Sequence, residues 1–313
     1  MSIHIYKKNT VILTALVVLG LNFAFGQEGN ASSIVVSGEP IAEALLGQWI
    51  KEYNLTERAD ITFNAKAKDA DLIIGFAEND AQEKHKDYFS VAKVAVLPVS
   101  KANAGILREV GKKGLGEKQI KALFFDDFFE STKKSEFEKV PFQVYTRLGD
   151  TGIPAIFAKE FGYEPQSLKG KAIGGNDFHV LLAMKKDPHA LSFNALNLIF
   201  DTKTRKIKEG FAVVPVDLDG NGRLTEDENV YADLDELLEK LQQGDSKNLK
   251  NIAIGELQIE VNREAASKET LAFLKWVVQN GATFLAAQGF LQPDSKTLEK
   301  ERLLVDQLVL NQR

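Results

Sequence analysis

The chain has no cysteine among its 313 residues. Disulfide bridges therefore cannot hold it together, and a lipid anchor attached through a cysteine at a processed N-terminus is excluded. Histidine is scarce as well. Beyond the first turn's worth of leader sequence only His85, His179 and His189 occur, too scattered to form a metal-ligand pair at helical spacing. Neither charge sign dominates: the formal net charge is -5, and the basic residues form no stripe with aromatics, which argues against nucleic acid as a partner. No Gly-x-Ser-x-Gly elbow, phosphate-gripping lysine loop or dinucleotide fingerprint is present, so an enzyme is not expected. There is no internal repeat at solenoid spacing and no low-complexity tract.

What is present begins with an address. Lys7 and Lys8 precede an apolar run from Val11 to Phe23, and Ala24-Phe25-Gly26 places small residues at the cleavage-critical positions. This reads as a secretory signal peptide over residues 1–26, cut before Gln27. The apolar run is shorter than the roughly 20 residues a membrane span needs, and no later segment is apolar enough to try. The mature chain is expected to be soluble, periplasmic and not a lipoprotein. It is long enough to build two lobes on apolar cores alone.

Along that mature chain, strand-like and helix-like patterns alternate. Ser33 to Val36, Ala59 to Ala65, Asp71 to Ala77 and Val91 to Pro98 read as strands, and Ile41, Leu45, Trp49 and Tyr53 share one helical face. Helices are also expected over 117–125, 154–161, 177–186, 233–243 and 268–279, with strands at 140–145 and within 190–200 and 210–216. The alternation predicts an open, largely parallel α/β sheet. Phe124, Phe125, Phe128 and Phe129 read as core. A terminal segment from Ser295 carries Leu298, Leu304 and Leu308 at helical spacing, as a face to dock on a lobe.

The densest motif is the twelve-residue stretch Asp217 to Glu228. A hard cation takes six to eight oxygens, and here Asp217, Asp219 and Asn221 supply side-chain oxygens at positions one, three and five. Arg223 offers its carbonyl at seven, Thr225 its hydroxyl or a water at nine, and Glu228 a bidentate carboxylate at twelve. Gly222 makes the sharp turn and Leu224 can pack inward. A strand-like segment precedes this loop, and helix follows on the exit side alone. Calcium is thus expected as a structural clamp on a strand-to-helix turn.

Three other turns sit just before helices: Ser37-Gly38-Glu39-Pro40, Thr151-Gly152-Ile153-Pro154 and Gly174-Gly175-Asn176-Asp177. A helix N-terminus presents unpaired N–H groups and about half a positive charge, so several converging on one cleft would receive an anion. Arg147 lies four residues before Thr151 and can complete such a site with its fork, or pair with Asp150 or another carboxylate.

Arg147 followed by Thr151, Gly152, Ile153 and Phe157 resembles the Arg-x-x-x-Ser-Gly-Thr-x-x-x-Phe turn of phosphate-binding proteins from ABC-type uptake systems. Ser37-Gly38 before the Trp49 helix is similar to that family's first anion turn, and Val94 to Pro98 to its crossing into the second lobe. The segments Lys118 to Phe125, Asp187 to Asn194, and Phe273 to Gly281 with Gly289-Phe290 follow its order too. Three positions depart from the pattern. Ile153 cannot donate where the family has threonine, Glu39 stands in the hydroxyl-rich turn, and Gly75-Phe76-Ala77-Glu78 lacks a serine often found there.

The resemblance implies a type II, two-lobed periplasmic-binding-protein-like fold, each lobe an open mixed sheet flanked by helices. Lobe one would comprise residues 31–97 and 212–293, lobe two 98–211, and a helical tail 294–313. It implies capture of a small oxyanion, phosphate foremost, by Ser37, Gly38, Glu39, Arg147, Thr151 and Gly152. A monomer would deliver the ligand to a membrane ABC transporter permease. Glu39 would either accept a proton from the ligand or cap its helix. The competing expectation is a calcium-stabilised surface or scaffolding protein that keeps the fold without a transport ligand.

Overall fold

The computed structural model describes residues 33–57, 59–77, 84–111, 113–126, 137, 139–243 and 249–311. The expected leader, Phe128, Phe129 and Glu78 lie outside them. Among the described residues no helix is long and apolar enough to cross a membrane.

Strands β1 (Ser33–Gly38), β2 (Asp60–Phe63) and β3 (Leu72–Phe76) form one end of the sheet, with β1 parallel to both neighbours. At the other end, β5 (Gln143–Arg147) runs parallel to β6 (Lys171–Ile173) and to β7 (Ala190–Ala195). Two long strands join the ends: β4 (Lys86–Lys101) and β9 (Ala253–Asn262), which are antiparallel to one another. The order is β2-β1-β3-β9-β4-β7-β5-β6, and β8 (Phe211–Val213) also pairs with β4. The sheet is therefore mixed, not largely parallel. Tight parallel units at each end are stitched together by antiparallel crossings through β4 and β9.

β4 is twice the expected length because it serves both ends in turn. Lys86 to Val96 pairs with β9, and Val96 to Ser100 pairs with β7. Covered on both faces, it is almost continuously buried from Phe89 to Ser100. β9, by contrast, alternates buried and more exposed residues along its length.

Helix α1 (Glu43–Thr56), entered through a 3-10 turn at Pro40–Ala42, buries Leu45, Leu46, Trp49 and Tyr53. Trp49 donates its indole N–H to the carbonyl of Gly281 at 3.0 Å, just past α8 (Lys268–Asn280). Such a partner is what a fully buried indole requires. Helices α2 (Gly105–Val110) and α3 (Glu117–Phe124) precede β5, and α4 (Ile153–Glu160) follows it. The aromatic core at that end stacks Phe157 on Phe193, with centroids 3.9 Å apart, and sets Phe124 edge-on to both.

Other elements also differ from the sequence reading. Only the first half of 190–200 is strand; Leu196–Ile199 is a helical turn, α6. Helix α5 (Asp177–Met184) ends two residues early, and α7 (Leu234–Gln243) begins one residue late. The last helix, α9 (Ser295–Asn311), buries Glu301, Val305 and Leu308, whereas Leu304 is exposed. Its apolar stripe is thus rotated by one position from the one expected.

Candidate functional site

The first turn is built by close approach. Gly38 ends β1 at φ +126°, and a Cβ there would stand 1.8 Å from the carbonyl oxygen of Ile74 on β3. Only glycine lets β1 turn so tightly against its neighbour. The next amide, Glu39 N–H, donates to that same carbonyl at 2.8 Å. Ser37 is buried at the end of the strand. The Glu39 side chain makes no cap to its helix, so the capping role considered for it does not occur.

The second turn comes from the opposite end of the sheet. Arg147 is the last residue of β5, and Gly152, at φ +66° and ψ -135°, caps α4 with Pro154 in the first turn. The Arg147 side chain is only 15% exposed, so it is not directed into bulk water. Its Nη2 donates to the carbonyl of Thr151, whose side chain faces solvent. Nε lies 3.2 Å from Oδ1 of Asp177 but off the line of the N–H bond, which makes an ion pair without an aligned hydrogen bond. Among the described residues no acceptor engages Nη1.

The two turns meet at Gly152. A Cβ placed there would lie 2.9 Å from Nη2 of Arg147, 3.6 Å from Oε1 of Glu39 and 3.6 Å from the ring of Phe76. Residues 39 and 76 belong to the β1–β3 end and residues 147 and 152 to the β5–β7 end. The contact therefore spans the two ends of the sheet. Helix α4 also bridges them further on, since Ile156 fills the space above Gly255 of β9.

Asp177 completes the charged set. It opens α5 from the third turn, where Asn176 caps the helix by accepting the amide of His179. The sequence reading valued that turn for its amides and overlooked the carboxylate. Burial raises the Asp177 pKa, with the Arg147 charge opposing. Burial likewise raises the Glu39 pKa; Arg147 pulls it down and Asp177 pushes it further up. One guanidinium thus faces two carboxyl groups that burial biases toward their neutral form.

The loop from Asp217 to Glu228 is a separate centre. Asp217 and Glu228 are 3% and 2% exposed, as deep as the apolar core. Oδ1 of Asp217 accepts the amides of Gly220 and Asn221, and Oδ2 that of Gly222. Oε1 of Glu228 accepts the amides of Leu218 and Asp219, while Oε2 takes both the amide and the hydroxyl of Thr225. Asn221 accepts from the Arg223 amide. Gly222 has φ +84°, and Leu224 packs against the core. One ligand atom from each of Asp217, Asp219 and Glu228 fits within 4.8 Å of the others, about twice a calcium–oxygen bond of ~2.4 Å. The donor set suits a hard cation.

No protein-family model matches the chain, and no curated protein matches it in sequence. Among solved structures, its fold is similar to that of a candidate phosphate ABC transporter substrate-binding protein from Clostridium perfringens with bound phosphate. The TM-score is 0.58 at 13% identity, covering 84% of this chain and 100% of that one. An ABC-type phosphate transport receptor from Vibrio cholerae is similar at TM-score 0.54 and 10% identity, over 84% and 100% of the two chains. The mixed sheet flanked by helices is that of type II periplasmic binding proteins, the class the Arg147 turn resembles.

Proposed function

We propose that this protein is an exported solute-binding receptor that captures a small oxyanion between Glu39 and Arg147, phosphate foremost, for a membrane ABC-type importer. The observation that carries this reading is the meeting of Glu39, Phe76, Arg147 and Gly152 around one point from opposite ends of the sheet. Ligand would enter as the ends part and be enclosed as they close. Nη1 of Arg147, which has no acceptor among the described residues, would donate to the anion.

The two carboxyl groups choose among anions. An ionised Glu39 needs a ligand that brings its own O–H, and phosphate does so at neutral pH whereas sulfate does not. The fold neighbours, described respectively as binding phosphate and as a phosphate transport receptor, support the same choice. Calorimetry against phosphate, sulfate and molybdate tests it, with phosphate expected to bind and sulfate much more weakly. Failure of all three, with binding of a neutral solute, would end the oxyanion reading.

We further propose that Asp217, Asp219, Asn221, Arg223, Thr225 and Glu228 hold a structural calcium. The two deeply buried carboxylates, with no lysine or arginine side chain paired to either among the described residues, support it. At a hundredfold its dissociation constant, calcium would add about 2.7 kcal/mol. Melting temperature should rise with calcium and fall with chelator; identical melting in both would sink the assignment.

A further inference from the structure

A cavity lies on the β5–β7 end, lined by none of the residues that meet at Gly152. It is a half-open space of about 520 Å³ between α5 and the segment from Asp201 to Phe211. Its apolar wall is Phe178, Leu181, Leu182 and Phe211. Phe178 and Leu182 stand one helical turn apart and are 46% and 39% exposed, an unusual pair to leave facing water on one helix.

Three ammonium groups line the same space, from Lys101, Lys185 and Lys208. Among the described residues none of them forms an ion pair. Lys101 lies over the Phe211 ring, 5.1 Å from its centroid, and Lys208 donates to the carbonyl of Leu198 at 2.8 Å. Asp201 also lines the space; its Oδ1 accepts the amides of Lys203 and Thr204, and its charge offsets part of the lysines'. Glu209 also lines the space and is exposed.

We propose that this cavity is a ligand site for a small carboxylate with an apolar tail. The volume falls within the range of small-molecule sites, about 300–1,000 Å³. The tail would lie along Phe178, Leu182 and Phe211, and the carboxylate would sit among the lysines. Burial lowers the Lys208 pKa, the Asp201 charge opposes that, and the Lys185 charge lowers it further, so an arriving anion would add to the partial relief that Asp201 gives. This inference does not rest on the oxyanion reading, since the two sites share no residue.

Octanoate is the probe, titrated into the full chain and followed by calorimetry and by methyl and aromatic NMR signals. Octanoate should bind, shift the signals of Phe178 and Leu182, and bind at least tenfold more tightly than octanol. The double variant Lys101→Met with Lys185→Met should weaken octanoate at least tenfold while melting and phosphate binding stay unchanged. Leu182→Asp should weaken octanoate and octanol alike. Equal binding of octanol and octanoate, or no shift at Phe178 and Leu182 up to millimolar octanoate, would overturn the proposal. So would an acidic amphipathic peptide that occupies the cavity when octanoate does not, since the face would then belong to a protein partner.

Discussion

The cleft and the calcium-type loop bury carboxylates by opposite means. In the loop, Asp217 and Glu228 accept backbone amides from within the same twelve residues. In the cleft, Glu39 and Asp177 share one guanidinium supplied by residue 147, and burial pushes both carboxyls up. Backbone donors are fixed by the fold and cannot leave. A guanidinium on a flexible stem can exchange one partner for another. The loop carboxylates are thus held by fixed donors, and those beside Arg147 by a partner that can move.

The largest effect should come from breaking the clamp. Asp217→Ala removes the acceptor for three amides, and hydrogen bonds to a charged group are worth about 1.5–3 kcal/mol each without adding fully. A loss of roughly 3 kcal/mol is expected in urea unfolding with chelator present. Under 1 kcal/mol would mean that the loop owes its shape to the metal rather than to its own amides, and the contrast with the cleft would fail.

Arg147→Met should act the other way round. The cleft carboxyls can hold protons when their cation is gone, so stability should change little. Phosphate affinity should fall at least a hundredfold, about 2.8 kcal/mol. Unchanged affinity would remove the cleft from the binding site altogether and favour the scaffolding alternative.

A third, smaller effect follows from the direction of the Glu39 shift. Burial raises its pKa above 4.5, so the native state holds the proton more tightly than the unfolded chain does. Stability from this group is complete below about pH 4.5 and is lost as pH rises through the raised native value. Glu39→Gln removes that loss. The variant should match the wild type near pH 4 and exceed it near pH 7.5 in urea midpoint. A wild type more stable than the variant at neutral pH would show that attraction to Arg147 outweighs burial.

The same contrast explains what could be read from the chain. The loop's carboxylate-to-amide pattern was legible because those bonds lie within twelve consecutive residues, whereas its anchoring to Leu115, Lys250 and Asn251 was not. The cleft was legible in parts. Arg147 and its turn announce themselves locally, but the approach of Glu39 and Phe76 depends on how β4 and β9 stitch the two ends together. Asp177 was passed over because a carboxylate at the start of a helix has an ordinary local explanation beside the helix dipole. β9 was missed although its alternation, Ala253, Gly255, Leu257, Ile259 and Val261 inward, is plain in hindsight. The rotated stripe of α9 was misread because buried Glu301 looks polar on paper while exposed Leu304 looks like core.

The smallest predicted effect sharpens the comparison most, because it applies one chemical change to both regions. Gly152→Ala and Gly222→Ala each place a side chain at positive φ, +66° and +84°, at a cost of about 1–2 kcal/mol. At Gly222 nothing lies within 4 Å of the new methyl, so backbone strain is the whole expected effect. At Gly152 the methyl arrives 2.9 Å from Nη2 of Arg147, the end of a side chain that can move. Relief comes by pushing the guanidinium off the Thr151 carbonyl and away from the point where Glu39 approaches. Both variants should lose stability, Gly152→Ala the more, and Gly152→Ala should also weaken phosphate about tenfold, roughly 1.4 kcal/mol, while Gly222→Ala leaves it alone. If the two variants cannot be told apart by phosphate calorimetry, the meeting point at Gly152 is packing, and the receptor reading loses the observation on which it stands.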